Sequence, residues 1–145
     1  MIQLVRIIDE LPDDFERLRT EAAASGHRHI ERLSQDWNSG TQRFANDGEA
    51  LLAAYQAGEL VGIGAITCEP SKTGEPALRL RRLFVSPGAR RNGVARSIVA
   101  ALIQEGFDSA ALLTVHAGDA TAVTFWEAQG FRPVDGQAWS HELRR

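Results

Sequence analysis

Between Arg79 and Arg96 the chain carries six arginines (Arg79, Arg81, Arg82, Arg90, Arg91 and Arg96) and no acid. Arginine's flat fork of donors grips phosphate and carboxylate oxygens at two points, so the window reads as an anion site; the bland alternative is a solvated basic edge. Its centre is Arg90-Arg91-Asn92-Gly93-Val94-Ala95, at the start of an apolar helical repeat. A helix start presents unpaired backbone N–H groups and the positive end of the macrodipole, and both favour phosphate. Gly93 lets that backbone approach closely, because a β-carbon would stand where phosphate oxygens go. These features agree on a pyrophosphate.

Two common phosphate ligands are excluded by their own spacing rules. Gly88 and Gly93 have the glycine spacing of a Walker loop, but Val94-Ala95 stands where Lys-Ser/Thr is required. Gly62-Ile63-Gly64 is followed by Ala65-Ile66-Thr67, so the dinucleotide pattern G-x-G-x-x-G is not completed.

The elements that must position this loop follow from periodicity. Ile2–Ile8 reads as a first strand. Pro12 opens a helix carrying Leu11, Phe15, Leu18 and Ala22, and His27–Trp37 suits a second with Ile30, Leu33 and Trp37 on one face. Ala50–Gln56 and Leu60–Cys68 form a hairpin around Ala57-Gly58-Glu59. Gly62 and Gly64 share one face of its second strand, where another backbone is expected to come close. In Leu78–Val85, Leu78 and Leu80 face one way and Arg79 and Arg81 the other. Strict alternation would then put Arg82 with the leucines, and the pattern recovers if one residue is inserted at Arg81-Arg82. This predicts a β-bulge, a feature that often sits beside active sites. A helix from Gly93 to Glu105, a strand Ala110–His116, a helix capped by Asp119 and ended by Gly130, and strands Phe131–Val134 and Ala138–Leu143 complete the chain. The order is β-α-α-β-β-β-α-β-α-β-β, an α/β (α+β) arrangement.

Composition bounds the rest. The 145 residues carry a net charge of −3, with 43% hydrophobic and 24% charged residues, as soluble globular domains do, so disorder, collagen and coiled coil are excluded. We expect residues 1–145 to form one domain. Residues 1–50 hold ten acids and six bases, and the remainder nine acids and ten bases, so the basic window stands in an otherwise acidic chain. With no basic stripe alternating with aromatics, a nucleic-acid partner is not expected. The single cysteine, Cys68, excludes an intramolecular disulfide and a cysteine-based zinc cluster; it reads as a small buried side chain. No metal is expected, because His27 and His29, two apart, would face different ways on a helix. No secretory signal or membrane span is legible, and the expected location is the cytoplasm.

The run Leu78–Ala100 resembles the GCN5-related N-acetyltransferases, whose acyl-CoA loop follows Q/R-x-x-G-x-G/A; here it is Arg90-x-x-Gly93-x-Ala95. Asp119-x-x-Ala122-x-x-Phe125-Trp126-x-x-x-Gly130-Phe131 is similar to the family's second segment, N-x-x-A-x-x-F/L-Y-x-x-x-G-F. The resemblance covers residues 78–131 well and implies a mixed, mostly antiparallel sheet flanked by helices. It also implies acetyl-CoA as acyl-donor cosubstrate. Backbone groups of Leu83, Phe84 and Val85 would pair with the pantetheine arm, and Arg90, Arg91, Asn92, Gly93, Val94, Ala95, Arg96 and Ser97 would hold the pyrophosphate. Asp119, Phe125 and Trp126 would complete the cofactor site. A backbone N–H at the bulge would stabilise an oxyanion.

The chain departs from the family where catalysis is concerned. Trp126 stands at the position of the frequent tyrosine acid, and an indole N–H donates a hydrogen bond but does not deliver a proton. Asp119 replaces an asparagine, and Arg79 and Arg81 occupy the region of a frequent glutamate base. His116, at the end of its strand, and Tyr55, the only tyrosine, are the candidate catalytic groups; Glu69 and Glu75 are further candidate bases. Trp37 and Phe44 read as core or as acceptor-pocket lining. The arginines favour an amine that also bears a carboxylate or phosphate; the acidic first third would suit a polyamine or basic peptide. The leading reading is an N-acetyltransferase acting on a small-molecule amine, or on a peptide amine, as monomer or homodimer. A non-catalytic acyl-CoA-binding module is the alternative, and a protein-interaction subunit the third.

Overall fold

The computed structural model describes residues 1–145. Seven strands, β1 (Ile2–Arg6), β2 (Ala50–Gln56), β3 (Glu59–Cys68), β4 (Ala77–Val85), β5 (Leu112–Val115), β6 (Arg132–Pro133) and β7 (His141–Arg144), form one sheet in the order β1-β2-β3-β4-β5-β7-β6. Only β4 and β5 run parallel; every other pair is antiparallel. Helices α1 (Phe15–Ala24), α2 (His29–Ser39), α3 (Val94–Phe107) and α4 (Ala120–Ala128) complete the predicted order.

The sheet is apolar on both faces because helices cover both. α1 and α2 bury Phe15, Leu18, Ile30, Leu33 and Trp37 against Leu51, Ile63 and Phe84. On the other face α3 sets Val94, Ile98 and Leu102 against Leu78, Leu80 and Leu113, with Trp126 and Phe131 closing the end. Phe44 stacks on Trp37 at 6.5 Å within the first cluster, so both are core residues. Gly62 and Gly64 make room mainly for α3 side chains, not for another backbone as expected: a β-carbon on Gly64 would stand 2.6 Å from Ile98 Cγ2.

The bulge lies one step beyond Arg81. Arg81 pairs with Ala65 and Phe84 with Ile63, leaving Arg82 and Leu83 opposite Gly64 alone. Arg82 takes φ 58°, a left-handed conformation uncommon for a residue with a β-carbon. The inserted residue returns Leu83 and Val85 to the α3 side with Leu78 and Leu80, and sends Phe84 to the α1–α2 side with Arg79 and Arg81. Further along, β4 loses its parallel partner. It pairs with β5 only over Ala77–Arg79, whereas β5 continues against β7 through Val115. Ser140 ties down that end of β5, its N–H donating to Val115 O at 3.1 Å and its hydroxyl accepting from the Ala117 N–H at 2.8 Å. The β5-facing edge of β4 from Leu80 to Val85 is therefore open.

Two expectations are corrected by local geometry. Cys68 is exposed: β3 is buried on both faces from Leu60 to Thr67, and Cys68, its last residue, lies beyond that cover, while its N–H donates to Glu49 Oε2 at 2.9 Å. His27 precedes α2, which begins at His29, so helical spacing does not govern the pair, and their rings lie 5.5 Å apart.

Candidate active site

Where β4 ends, the chain turns through Pro87–Ala89 into the arginine loop and then into α3. Ser86 clamps the corner. Its N–H donates to Val61 O at 2.8 Å, its hydroxyl donates to Glu21, and Arg17 Nη1 donates to that hydroxyl at 3.1 Å. Arg90 folds back so that Nε donates to Val85 O at 3.2 Å. Arg91 (φ 69°) and Gly93 (φ 80°) are both left-handed, and Gly93 caps α3. The first helical bond is donated by the Ser97 N–H to Gly93 O at 3.0 Å. The six successive amides of Arg91 through Arg96 thus donate to nothing within the protein. Alternating left- and right-handed residues turn consecutive N–H groups into one concavity, the backbone arrangement that binds phosphate oxygens.

These amides border a cavity of about 350 Å³ lined by Val85, Ala89, Arg90, Arg91, Gly93, Val94, Ala95, Arg96, Phe125 and Gln129. It is apolar toward Val85 and Phe125 and cationic toward the arginines, the gradient that a pyrophosphate on an aliphatic arm requires. A β-carbon on Gly93 would meet only Arg96 Nη2 at 3.5 Å, so the space in front of it is open. The chain's residues fit a coenzyme A cradle. Ala89 and Gln129 were not anticipated; neither carries a motif signal, and only the packing of α4 beside the loop brings Gln129 here.

The remaining predicted residues are distributed around this cavity. Leu83 is half-buried on the α3 side and Phe84 is buried on the α1–α2 side, 4% exposed. Asn92 and Ser97 lie on the loop and first turn of α3, outside the cavity lining. Asp119 caps α4, its Oδ1 accepting from the Ala122 N–H at 2.8 Å. Trp126 packs edge-on between Phe125 and Phe131, with centroids 5.0 and 5.3 Å away. Its indole N–H has no partner, yet the one buried, unpartnered side-chain polar atom is His29 Nδ1; the indole nitrogen therefore opens to solvent.

The titratable candidates stand apart from the cavity. His116 is exposed just beyond β5. Tyr55 sits on β2, two strands from β4 and so about 10 Å across the sheet. Burial, and then Asp13 and Asp14, push its phenol above the ordinary value. Glu69 is held elsewhere: Arg79 Nε donates to it at 2.8 Å, Thr114 Oγ1 at 2.7 Å and the Ser71 N–H at 2.7 Å. Burial alone would raise its carboxyl, but these hydrogen bonds and the Arg79 charge bring it below the usual carboxylate range, which makes it a weak base. Glu75 accepts two hydrogen bonds from Arg144 at 2.9 and 3.1 Å and is likewise lowered. No three His, Cys, Asp or Glu side chains converge as a metal site would require.

Residues 19–142 match the family model described as the acetyltransferase (GNAT) domain. The chain belongs to the GNAT acetyltransferase family. Its fold is similar to that of a protein from Exiguobacterium sp. 255-15 assigned as an acetyltransferase, with 21% identity, a TM-score of 0.87, and 99% of this chain and 93% of that one covered. The ribosomal-protein-alanine N-acetyltransferase of Brucella melitensis matches at 21% identity and TM-score 0.70, over 99% of both chains. A mutant form of the AtaT toxin, bound to acetyl-CoA and to the C-terminus of the antitoxin AtaR, matches at 15% identity and TM-score 0.74, over 99% of this chain and 92% of that one. No curated protein matches. At these identities the solved structures support the fold. No helix is long and apolar enough to cross a membrane.

Proposed function

We propose that this GNAT chain is an N-acetyltransferase that moves the acetyl group of acetyl-CoA to the primary amine of a small molecule by direct attack on the thioester. The observation that carries the reading is the row of six unpartnered amides opening on a cavity that leads to the unpaired edge of β4. Acetyl-CoA is the family's acyl donor and supplies a thioester already activated toward an amine. The amides of Arg91–Arg96 and the Arg90, Arg91 and Arg96 guanidiniums hold its pyrophosphate, while Val85 and Phe125 exclude water from the arm. The open backbone of Leu83–Val85 receives that arm as an added strand would be received. Holding amine and thioester together supplies much of the rate, so the reading does not depend on a protein acid. The lone free thiol, Cys68, is consistent with work in the cytoplasm.

Calorimetric titration with acetyl-CoA tests the cofactor site. The parent should bind, and Gly93→Glu should not, because its carboxylate would stand among amides and arginines meant for phosphate; circular dichroism of the variant checks that it folds. No binding to the parent at millimolar acetyl-CoA would sink the proposal. Trp126 favours a second reading, an acyl-CoA-binding module without turnover, since the indole at that position does not protonate a leaving thiolate. Thiol release with an amine panel separates the two: binding without release from any amine would favour the module.

A further inference from the structure

Under the N terminus of α2, on the face of β4 opposite α3, positive charge gathers without matching acids. Arg79 is neutralised by Glu69 at 2.8 Å, and Arg82, its side chain 11% exposed, faces Asp36 at 3.9 Å. Arg81 is half-buried between them and makes no hydrogen bond or ion pair; Arg32 on α2 adds a further charge nearby. Four guanidiniums thus share two carboxylates. A partly buried guanidinium normally finds a partner, because removing it from water without one is costly.

The first residue of α2 carries the protein's one buried side-chain polar atom without a partner, His29 Nδ1. The His27 and His29 rings lie 5.5 Å apart, centroid to centroid, and His27 packs edge-on against Phe84 at 6.0 Å, which brings the start of α2 against the end of β4. Burial, then the charges of His27, Arg82 and Arg81, hold the His29 imidazole at about 4, so it is neutral at pH 7. The cluster is separate from the pyrophosphate cavity, which lies on the α3 side. The two meet across the open edge of β4, where Val85 lines the cavity three residues, or about 10 Å, beyond Arg82.

We propose that Arg81 and Arg82, with His29 across from them, form an oxyanion subsite, and that the acceptor is an amine which also carries a carboxylate or phosphate. The substrate class rests on the acetyltransferase reading; the anion site does not. A bound oxyanion places its charge between the two guanidiniums and turns the unpartnered His29 ring into a donor. The acceptor's amine end is then directed toward the open edge of β4, and polyamines and other purely cationic amines are excluded by charge.

Two measurements test this separately from coenzyme A binding. In protein with isotope-labelled histidine, assigned with His29→Gln, the His29 ring is titrated by NMR with and without inorganic phosphate or acetate. Either anion should raise its pKa by about one unit or more, because a nearby negative charge favours imidazolium. Arg81→Gln should abolish the shift. An unmoved His29, or an equal shift in Arg81→Gln, overturns the site whether or not acetyl-CoA binds. Next, kcat/KM is compared for β-alanine against propylamine and for phosphoethanolamine against ethanolamine. The oxyanion-bearing member of each productive pair should be preferred. Arg81→Gln should cut its kcat/KM about tenfold or more, mostly through KM, and so narrow its margin over the purely cationic member of the pair, with acetyl-CoA affinity unchanged. Equal use of both members, or an equal loss for both in the variant, overturns the acceptor class and would mark an adventitious ion site only.

Discussion

Trp126 and His29 each raise the question of what one side chain does when its polar atom has no partner. Trp126 packs its body between Phe125 and Phe131 while its N–H opens to solvent, so packing is its main work. Trp126→Phe should keep the maximal rate within a few fold, measured by thiol release, and should loosen the core packing behind Phe125; a loss of about 10²–10⁴-fold would show general-acid help instead. His29 is the opposite case: a half-buried base whose Nδ1 is sealed from water without a partner. Its folded pKa of about 4 lies below the ordinary 6.5, so the unfolded chain binds more protons over that interval. Its contribution to stability is complete above pH 6.5 and is lost as pH falls through 6.5 toward 4, by at most roughly 3 kcal/mol. Urea unfolding at stepped pH should show this slope, and His29→Gln should flatten it; an unchanged slope would mean that other groups carry the acid sensitivity. Neither role is legible in the sequence. A tryptophan in an apolar stripe and a histidine two residues from another give no sign of which ring atoms are sealed off, since that depends on β4 and α2 meeting across the fold.

At the scale of elements, β4 is the most informative segment. The phase break between Leu80 and Leu83 announces an inserted residue, because an unbroken strand would bury an arginine and expose a leucine. What the phase break omits is that Arg82 takes the left-handed backbone and that the freed edge faces β5. Loop and helix α3 are legible for a different reason: two arginines and a glycine stand just before an apolar helical repeat, where free amides and close backbone approach suit a phosphate. The burial expected of Cys68 fails because an apolar run does not say how far along the strand the cover on its two faces extends. The fit of α3 on β3 yields a test. Gly64→Ala places a β-carbon 2.6 Å from Ile98 Cγ2, with Leu83 Cδ1 at 3.3 Å, in a strand position where alanine would otherwise be harmless. Overpacking of this kind costs about 1–3 kcal/mol, read as a lower denaturation midpoint at unchanged m-value. Since Leu83 is displaced toward the open edge, acetyl-CoA affinity should fall as well. A variant as stable as the parent would show that α3 can slide.

For the whole molecule, the decisive feature is that the candidate phosphate loop is gripped from both faces of the sheet. On the α1 side Arg17 and Glu21 hold Ser86, which is 6% exposed at the corner where β4 enters the loop. On the other side the loop becomes α3, whose Val94, Ile98 and Leu102 belong to the cluster that also contains Leu113 and Phe131. A ligand bound to the loop is therefore coupled to both cores, and its binding energy should appear as stability of the entire chain. At acetyl-CoA one hundred times its dissociation constant, linkage gives about 2.7 kcal/mol, or a rise in thermal midpoint of roughly 5–10 °C for a chain of this size. The transition should stay single and sharp, since α1, the sheet and α3 are stabilised together. Gly93→Glu should show no rise. Arg17→Met should keep a smaller one, because the amides survive while the corner that aims them is loosened. Calorimetric binding to the parent with no thermal shift, or a shift confined to part of a split transition, would contradict the coupling and show the loop to be an independently mobile appendage of α3.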